Sequence, residues 1–155
     1  MGPPRIFGEA PRLPSPRWHG KVNVLAVSIL SQVLIVDDNP VQLSVREAVL
    51  RTAGFQVSTA TTAESALDTL RSLRDRIGVV VTDHLMPGCD GPELVRRIRA
   101  EGDYLPVIVL SGLPEAFPEY EGLDVVFRPK PLPPPELIEL VRCSLEETSR
   151  RRAAA

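Results

Sequence analysis

From Ser31 onward, short apolar runs alternate with segments whose apolar residues recur every three or four positions. Val33-Leu34-Ile35-Val36 is an unbroken apolar run ending at Asp37-Asp38, which predicts a buried strand. Val41, Val45, Ala48 and Val49 then recur at helical spacing, and Gly54 follows as a stop. Phe55 to Ser58 predicts a second strand. Thr61 and Glu64 have capping-box spacing and open a helix with Ala63, Ala66, Leu67 and Leu70 on one face. Val79-Val80-Val81 predicts a third strand, closing at Thr82-Asp83. A Met86-Pro87-Gly88 loop leads to a helix running through Arg99, with Leu94, Val95 and Ile98 as its apolar positions. Val107 to Leu110 is the fourth strand and ends at Ser111-Gly112; Val125 to Phe127 is the fifth and ends near Lys130. Leu137, Ile138, Val141 and Leu145 give a final helix after a proline run.

Strands alternating with helices at this spacing predict an α/β fold with a parallel sheet covered on both faces. Right-handed crossovers then make it a three-layer sandwich. The 155 residues suffice for one such domain, expected over 31–147. Residues 1–20 hold five prolines and no apolar period, so 1–30 reads as a largely disordered extension. Val22 to Leu30 is apolar and follows basic residues, but it lacks a small-x-small cleavage site and runs straight into the first strand. The arginines and alanines of 148–155 read as a flexible, solvated tail.

Composition narrows the class of protein. A net charge of −2 supplies no global basic field, so direct nucleic-acid binding is not expected. No apolar run approaches the roughly 20 residues of a membrane helix. Cys89 and Cys143 lack motif spacing, which fits a reduced, cytoplasmic protein.

Candidate chemistry follows from where polar residues fall. Open parallel sheets carry their sites outside the carboxyl ends of their strands. Asp37 and Asp38 follow the first strand, Asp83 ends the third, Ser111 ends the fourth and Lys130 lies past the fifth. Clustered carboxylates repel unless a cation compensates. Mg²⁺ suits such a set because it prefers oxygen ligands and bridges carboxylates to phosphate. A carboxylate can also act as a nucleophile toward phosphorus, with a lysine and a hydroxyl stabilising charge on the transferring group. Only Lys21 and Lys130 of the 18 basic residues are lysine, so Lys130 marks a place needing a compact point charge. Each residue also has a plainer reading. Asp37-Asp38-Asn39 before Pro40 can be a helix N-cap. Asp83, and Ser111 with Gly112, can be ordinary turns. Phe127 is core in part, His84 a surface residue, and Cys89 an incidental loop residue.

Four segments together resemble the receiver domain of two-component response regulators: Val33-Leu34-Ile35-Val36-Asp37-Asp38-Asn39, Asp83-His84-Leu85-Met86-Pro87 with Asp90-Gly91, Leu110-Ser111-Gly112, and Phe127-Arg128-Pro129-Lys130-Pro131. The resemblance spans about residues 31 to 147. It implies a flavodoxin-like sheet of strand order 2-1-3-4-5. It also implies that Asp83 accepts a phosphoryl group from a sensor histidine kinase or a histidine phosphotransfer protein. Asp37, Asp38, Asp83 and the backbone carbonyl of Leu85 would hold Mg²⁺. Lys130 would pair with Asp83 or its phosphate, and Ser111 would bond the phosphoryl group. Phe127 would be the aromatic switch that couples phosphorylation to output. The Lys130-Pro131 bond would be cis. Such a domain catalyses its own phosphorylation without acting on a separate substrate. Since 25 residues follow Lys130, the expectation is a stand-alone receiver that signals through an output partner or passes phosphate onward.

Two departures stand out. Only 18 residues separate Ser111 from Lys130, and Gly112, Pro114, Pro118 and Gly122 fall among them, so the fourth helix should be shortened or absent. Leu85 and Leu113 occupy positions that look onto the phosphoryl group in receivers, where polar residues help place water; two leucines there predict a long-lived aspartyl phosphate. The alternatives are a haloacid-dehalogenase-like Mg²⁺ phosphatase, whose Asp-x-Asp pattern the segment Asp37-Asp38-Asn39-Pro40 lacks, and a receiver-like interaction module that is never phosphorylated.

Overall fold

The structure, a computed structural model, describes residues 31–154. The expectations for the 1–30 extension, including the apolar stretch Val22 to Leu30, lie outside the described residues.

Five strands form one all-parallel sheet of order β2-β1-β3-β4-β5. They are β1 (Gln32–Val36), β2 (Gln56–Ala60), β3 (Ile77–Asp83), β4 (Val107–Ser111) and β5 (Val126–Pro129). Among the described residues four α-helices cover them: α1 (Pro40–Thr52), α2 (Ala63–Ser72), α3 (Gly91–Ala100) and α4 (Pro134–Ala154). Strand residues alternate between two cores, as a period of two dictates. Leu34, Val36, Val80, Val107 and Val109 pack with Leu67, Leu70, Leu94, Val95 and Ile98 under α2 and α3. Val33, Ile35, Val79, Val81, Ile108 and Leu110 pack with Leu43, Leu50, Leu137, Val141 and Leu145 under α1 and α4. The three-layer sandwich and its strand order are therefore as expected. So is the missing helix: the β4–β5 connection holds a 3₁₀ helix, η1 (Pro114–Tyr120), in place of an α-helix.

Three local readings are corrected. The cap of α2 is Thr62, whose side chain accepts from the Ser65 N–H at 3.1 Å, one residue later than the Thr61–Glu64 pairing. The stripe Val41, Val45, Ala48 and Val49 does not face the sheet. Leu43 and Leu50 do, while Val41 is 71% and Val45 57% exposed. The run 148–154 is no flexible tail but the last two turns of α4. Thr148 is buried and donates to the Gly78 carbonyl at 2.6 Å. Arg152 reaches the carbonyls of Arg74, Asp75 and Ile77, satisfying the acceptors around the start of β3. Those carbonyls give the arginines a folded-state partner that composition alone does not reveal.

Candidate phosphoacceptor and metal site

The chain leaves β1 in one direction to make β2 and returns to place β3 on the other side, so a crevice opens at the carboxyl ends of β1 and β3. Asp37 and Asp38 enter it from β1 and Asp83 from β3. One carboxylate oxygen from each of the three lies within 4.8 Å of the other two. Asp37 is fully buried, Asp83 nearly so, and Asp38 is exposed.

Each is held differently. Asp83 Oδ1 accepts from the His84 N–H at 2.8 Å and pairs with Lys130 Nζ at 2.8 Å. Asp37 Oδ1 accepts from the Asn39 N–H at 2.8 Å, and its Oδ2 pairs with Arg46 Nη1 at 2.6 Å. Asn39, rather than either aspartate, caps α1, accepting from the N–H groups of Val41 and Gln42 with Pro40 at the first helical position. The cap reading is therefore right for Asn39 alone, and the two aspartates stay available to the crevice. Lys130 is set by its backbone, which donates to the Ser111 carbonyl at 2.8 Å across the ends of β4 and β5. Its bond to Pro131 is cis, as expected.

Hard oxygen donors at this spacing fit Mg²⁺. Asp37, Asp38 and Asp83 are the residues that would hold it. Leu85 lies in the β3–α3 loop, two residues past Asp83, and is 58% exposed. Ser111 is buried at the end of β4, and its hydroxyl is engaged with its own loop, accepting from the Leu113 N–H at 2.9 Å and donating to the Leu113 carbonyl at 3.2 Å. Phe127 is half-buried, its ring centroid 5.4 Å from Phe117 and 5.7 Å from Tyr120.

His84 is not a surface residue. It is buried, with Nδ1 2.6 Å from the Tyr120 hydroxyl and Nε2 3.3 Å from Glu119. Burial pushes the Tyr120 phenol far above its ordinary value, helped by the nearby charges of Asp90, Glu119 and Asp83. Gly91 makes room for this contact, because a Cβ there would collide with the Tyr120 hydroxyl and crowd the backbone of His84. Sequence reasoning missed Arg46, Gln42 and Tyr120. The i,i+4 pair Gln42 and Arg46 sits beside the buried Leu43–Leu50 face, which the helical spacing of the valines does not mark.

A doubly wound sheet with an acidic carboxyl-edge site and a lysine on its central carboxylate defines the class. The model of the response regulator receiver domain matches residues 33–142, and the chain belongs to that family. It is 39% identical over 119 residues to the C4-dicarboxylate transport transcriptional regulatory protein DctD of Pseudomonas aeruginosa, covering 75% of this chain and 25% of that protein. It is 36% identical over 124 residues to the response regulator MprA of Mycolicibacterium vanbaalenii, covering 76% of this chain and 52% of the relative. The chain thus spans about half or less of the length of these relatives. Among solved structures, a response regulator receiver protein from Pseudomonas putida superposes with a TM-score of 0.67 at 35% identity, covering 73% of this chain and 96% of that one. A receiver domain protein from Clostridium thermocellum shares the fold with a TM-score of 0.71 at 23% identity, over 81% of this chain and all of that one. Among the described residues, no helix is long and apolar enough to cross a membrane.

Proposed function

We propose that this receiver is a phosphoacceptor, phosphorylated on Asp83 in a Mg²⁺-dependent reaction with a sensor histidine kinase or a histidine phosphotransfer protein as donor. The observation that carries the reading is the pairing of Lys130 Nζ with Asp83 Oδ1 inside a cluster of three carboxylates. Lys130 and the His84 N–H occupy Oδ1, and among the described residues no donor engages Oδ2, which leaves that oxygen as the nucleophile. The O–P bond to Asp83 forms as the donor's N–P bond breaks, and the electron pair stays on the donor's imidazole nitrogen. Lys130 then moves its charge onto the phosphoryl oxygens. A bound Mg²⁺ would neutralise charge on those same oxygens.

The Ser111 hydroxyl would exchange its loop bonds for the phosphoryl group, and Phe127 would report the change through its contacts with Phe117 and Tyr120. Output then comes from partner binding or onward phosphotransfer. Two unpaired cysteines suit a reducing cytoplasm. Family membership does not favour the phosphatase.

The test is to incubate the protein with acetyl phosphate and Mg²⁺ and weigh it intact. One phosphoryl adduct is expected, absent in Asp83→Asn. No adduct under any condition would favour the unphosphorylated interaction module, and steady turnover of phosphate esters the phosphatase.

A further inference from the structure

A cation already sits on the proposed metal ligand. Asp37 is fully buried and both its oxygens are taken, Oδ1 by the Asn39 N–H and Oδ2 by Arg46. The Arg46 side chain is only 14% exposed, so little water screens the pair. Its other arm, Nη2, donates to Gln42 Oε1 at 3.3 Å, and that same oxygen accepts from Lys130 Nζ at 3.1 Å. One glutamine thereby clips together the two cations of the crevice. Arg46 and Lys130 offset most of the charge of Asp37, Asp38 and Asp83 without any metal.

We infer that Arg46 is a built-in counter-cation of the metal-free receiver: it holds Asp37 Oδ2 and must release it before a divalent ion can bind, so it sets the metal affinity of the site. This rests on the metal reading above and goes beyond it. A guanidinium and a metal ion compete for one oxygen. Where the arginine-held arrangement is the main metal-free state, apparent affinity falls by the fraction of molecules in which Asp37 is released. The pair also spares the metal-free protein a buried, uncompensated carboxylate.

The experiment is titration of Mg²⁺ by calorimetry, and of Mn²⁺ by electron paramagnetic resonance, into the wild type, Arg46→Gln, Arg46→Lys and Asp38→Asn. Arg46→Gln should tighten binding of both ions by about tenfold, the factor expected if roughly one metal-free molecule in ten has released Asp37. Arg46→Lys, which keeps the charge but loses the two-armed grip, should fall between. Without metal Arg46→Gln should unfold at lower temperature than the wild type, and saturating Mg²⁺ should raise its midpoint more. Unchanged or weaker binding in a folded Arg46→Gln overturns the inference. If that variant does not fold, Arg46→Lys decides, and wild-type affinity there overturns it as well. Metal binding that is undiminished by Asp38→Asn would instead defeat the metal reading itself.

Discussion

Asp83 has two unlike sides. Toward α1 and the end of β5 runs a charged and polar chain: Lys130 on Asp83, then Gln42, then Arg46, with the Gln42–Lys130 bond joining residues 88 apart in sequence. Toward η1, they are aromatic. His84 meets Tyr120, Tyr120 meets Phe127, and Phe127 meets the exposed Phe117. The first side acts on charge, which is what phosphoryl transfer requires. Among the described residues the second side holds no side-chain cation on Asp83; it links His84 through Tyr120 to Phe127 of β5 and the exposed Phe117 ring. On the proposed function, chemistry and readout are thus divided across one carboxylate. The β4–β5 connection needs no regular α-helix for this arrangement, because Tyr120 of η1 meets His84 just past the end of β3.

The strongest way to break the charged side is Lys130→Ala. Removing one preorganised donor from a transferring group costs on the order of 10²-fold in rate. Phosphorylation of this variant by acetyl phosphate should slow by about that factor in a timed intact-mass assay. A loss of less than threefold would show that the charge comes from elsewhere, with Arg46 the remaining candidate.

The next effect concerns Leu85 and Leu113, both exposed and each two residues past the end of its strand, β3 and β4. Neither can orient a water molecule toward the phosphoryl group. Leu85→Asn supplies a polar group that can, and placing water without transferring its proton should be worth about tenfold, below the roughly 10²-fold low end of general acid–base catalysis. The half-life of the phosphorylated protein after donor removal should shorten accordingly. Rapid phosphate loss from the wild type, unchanged by Leu85→Asn, would mean that the leucines do not govern hydrolysis.

The two sides also differed in how readable they were. Asp37, Asp38, Asp83 and Lys130 lie at strand ends, and the topology alone gathers strand ends, so their meeting follows from the apolar runs before them. The stunted connection after Ser111 was equally legible, because Pro114 and Pro118 cannot sit inside a regular helix. What failed depended on facing. The valine stripe of α1 has a good helical period, yet the sheet took Leu43 and Leu50 and turned Val41 and Val45 outward, carrying Arg46 to Asp37. Periodicity finds an apolar face but does not say that the core lies beneath it. His84 looked like a surface residue because its partner, Tyr120, lies 36 positions away on a segment with no periodic signal. The arginines at the end of α4 are bound by backbone carbonyls, which leave no mark in a side-chain pattern.

The smallest effect tests the aromatic side alone. Tyr120→Phe keeps the ring against Phe127 but removes the hydroxyl that meets His84 Nδ1. One lost hydrogen bond to a buried partner should cost about 1 kcal/mol at neutral pH. The pH dependence follows from the phenol, which burial holds above its ordinary value. The folded state favours the neutral form, so its stabilisation is complete below the unfolded phenol's pKa of about 10 and fades as pH rises beyond it toward the higher folded value. Cys89 and Cys143, also shifted upward, first by burial, change stability in the same direction but are common to both proteins and cancel in the comparison. Denaturant midpoints measured from neutral pH to about 11 should therefore show the wild type ahead at first and the gap closing above about pH 10. A gap that stays constant would mean that the hydroxyl's protonation does not matter to the fold. Phosphorylation measured in parallel should stay close to wild type, since the hydroxyl touches neither Asp83 nor Lys130. A large fall in that rate would show that the aromatic side acts on the chemistry too.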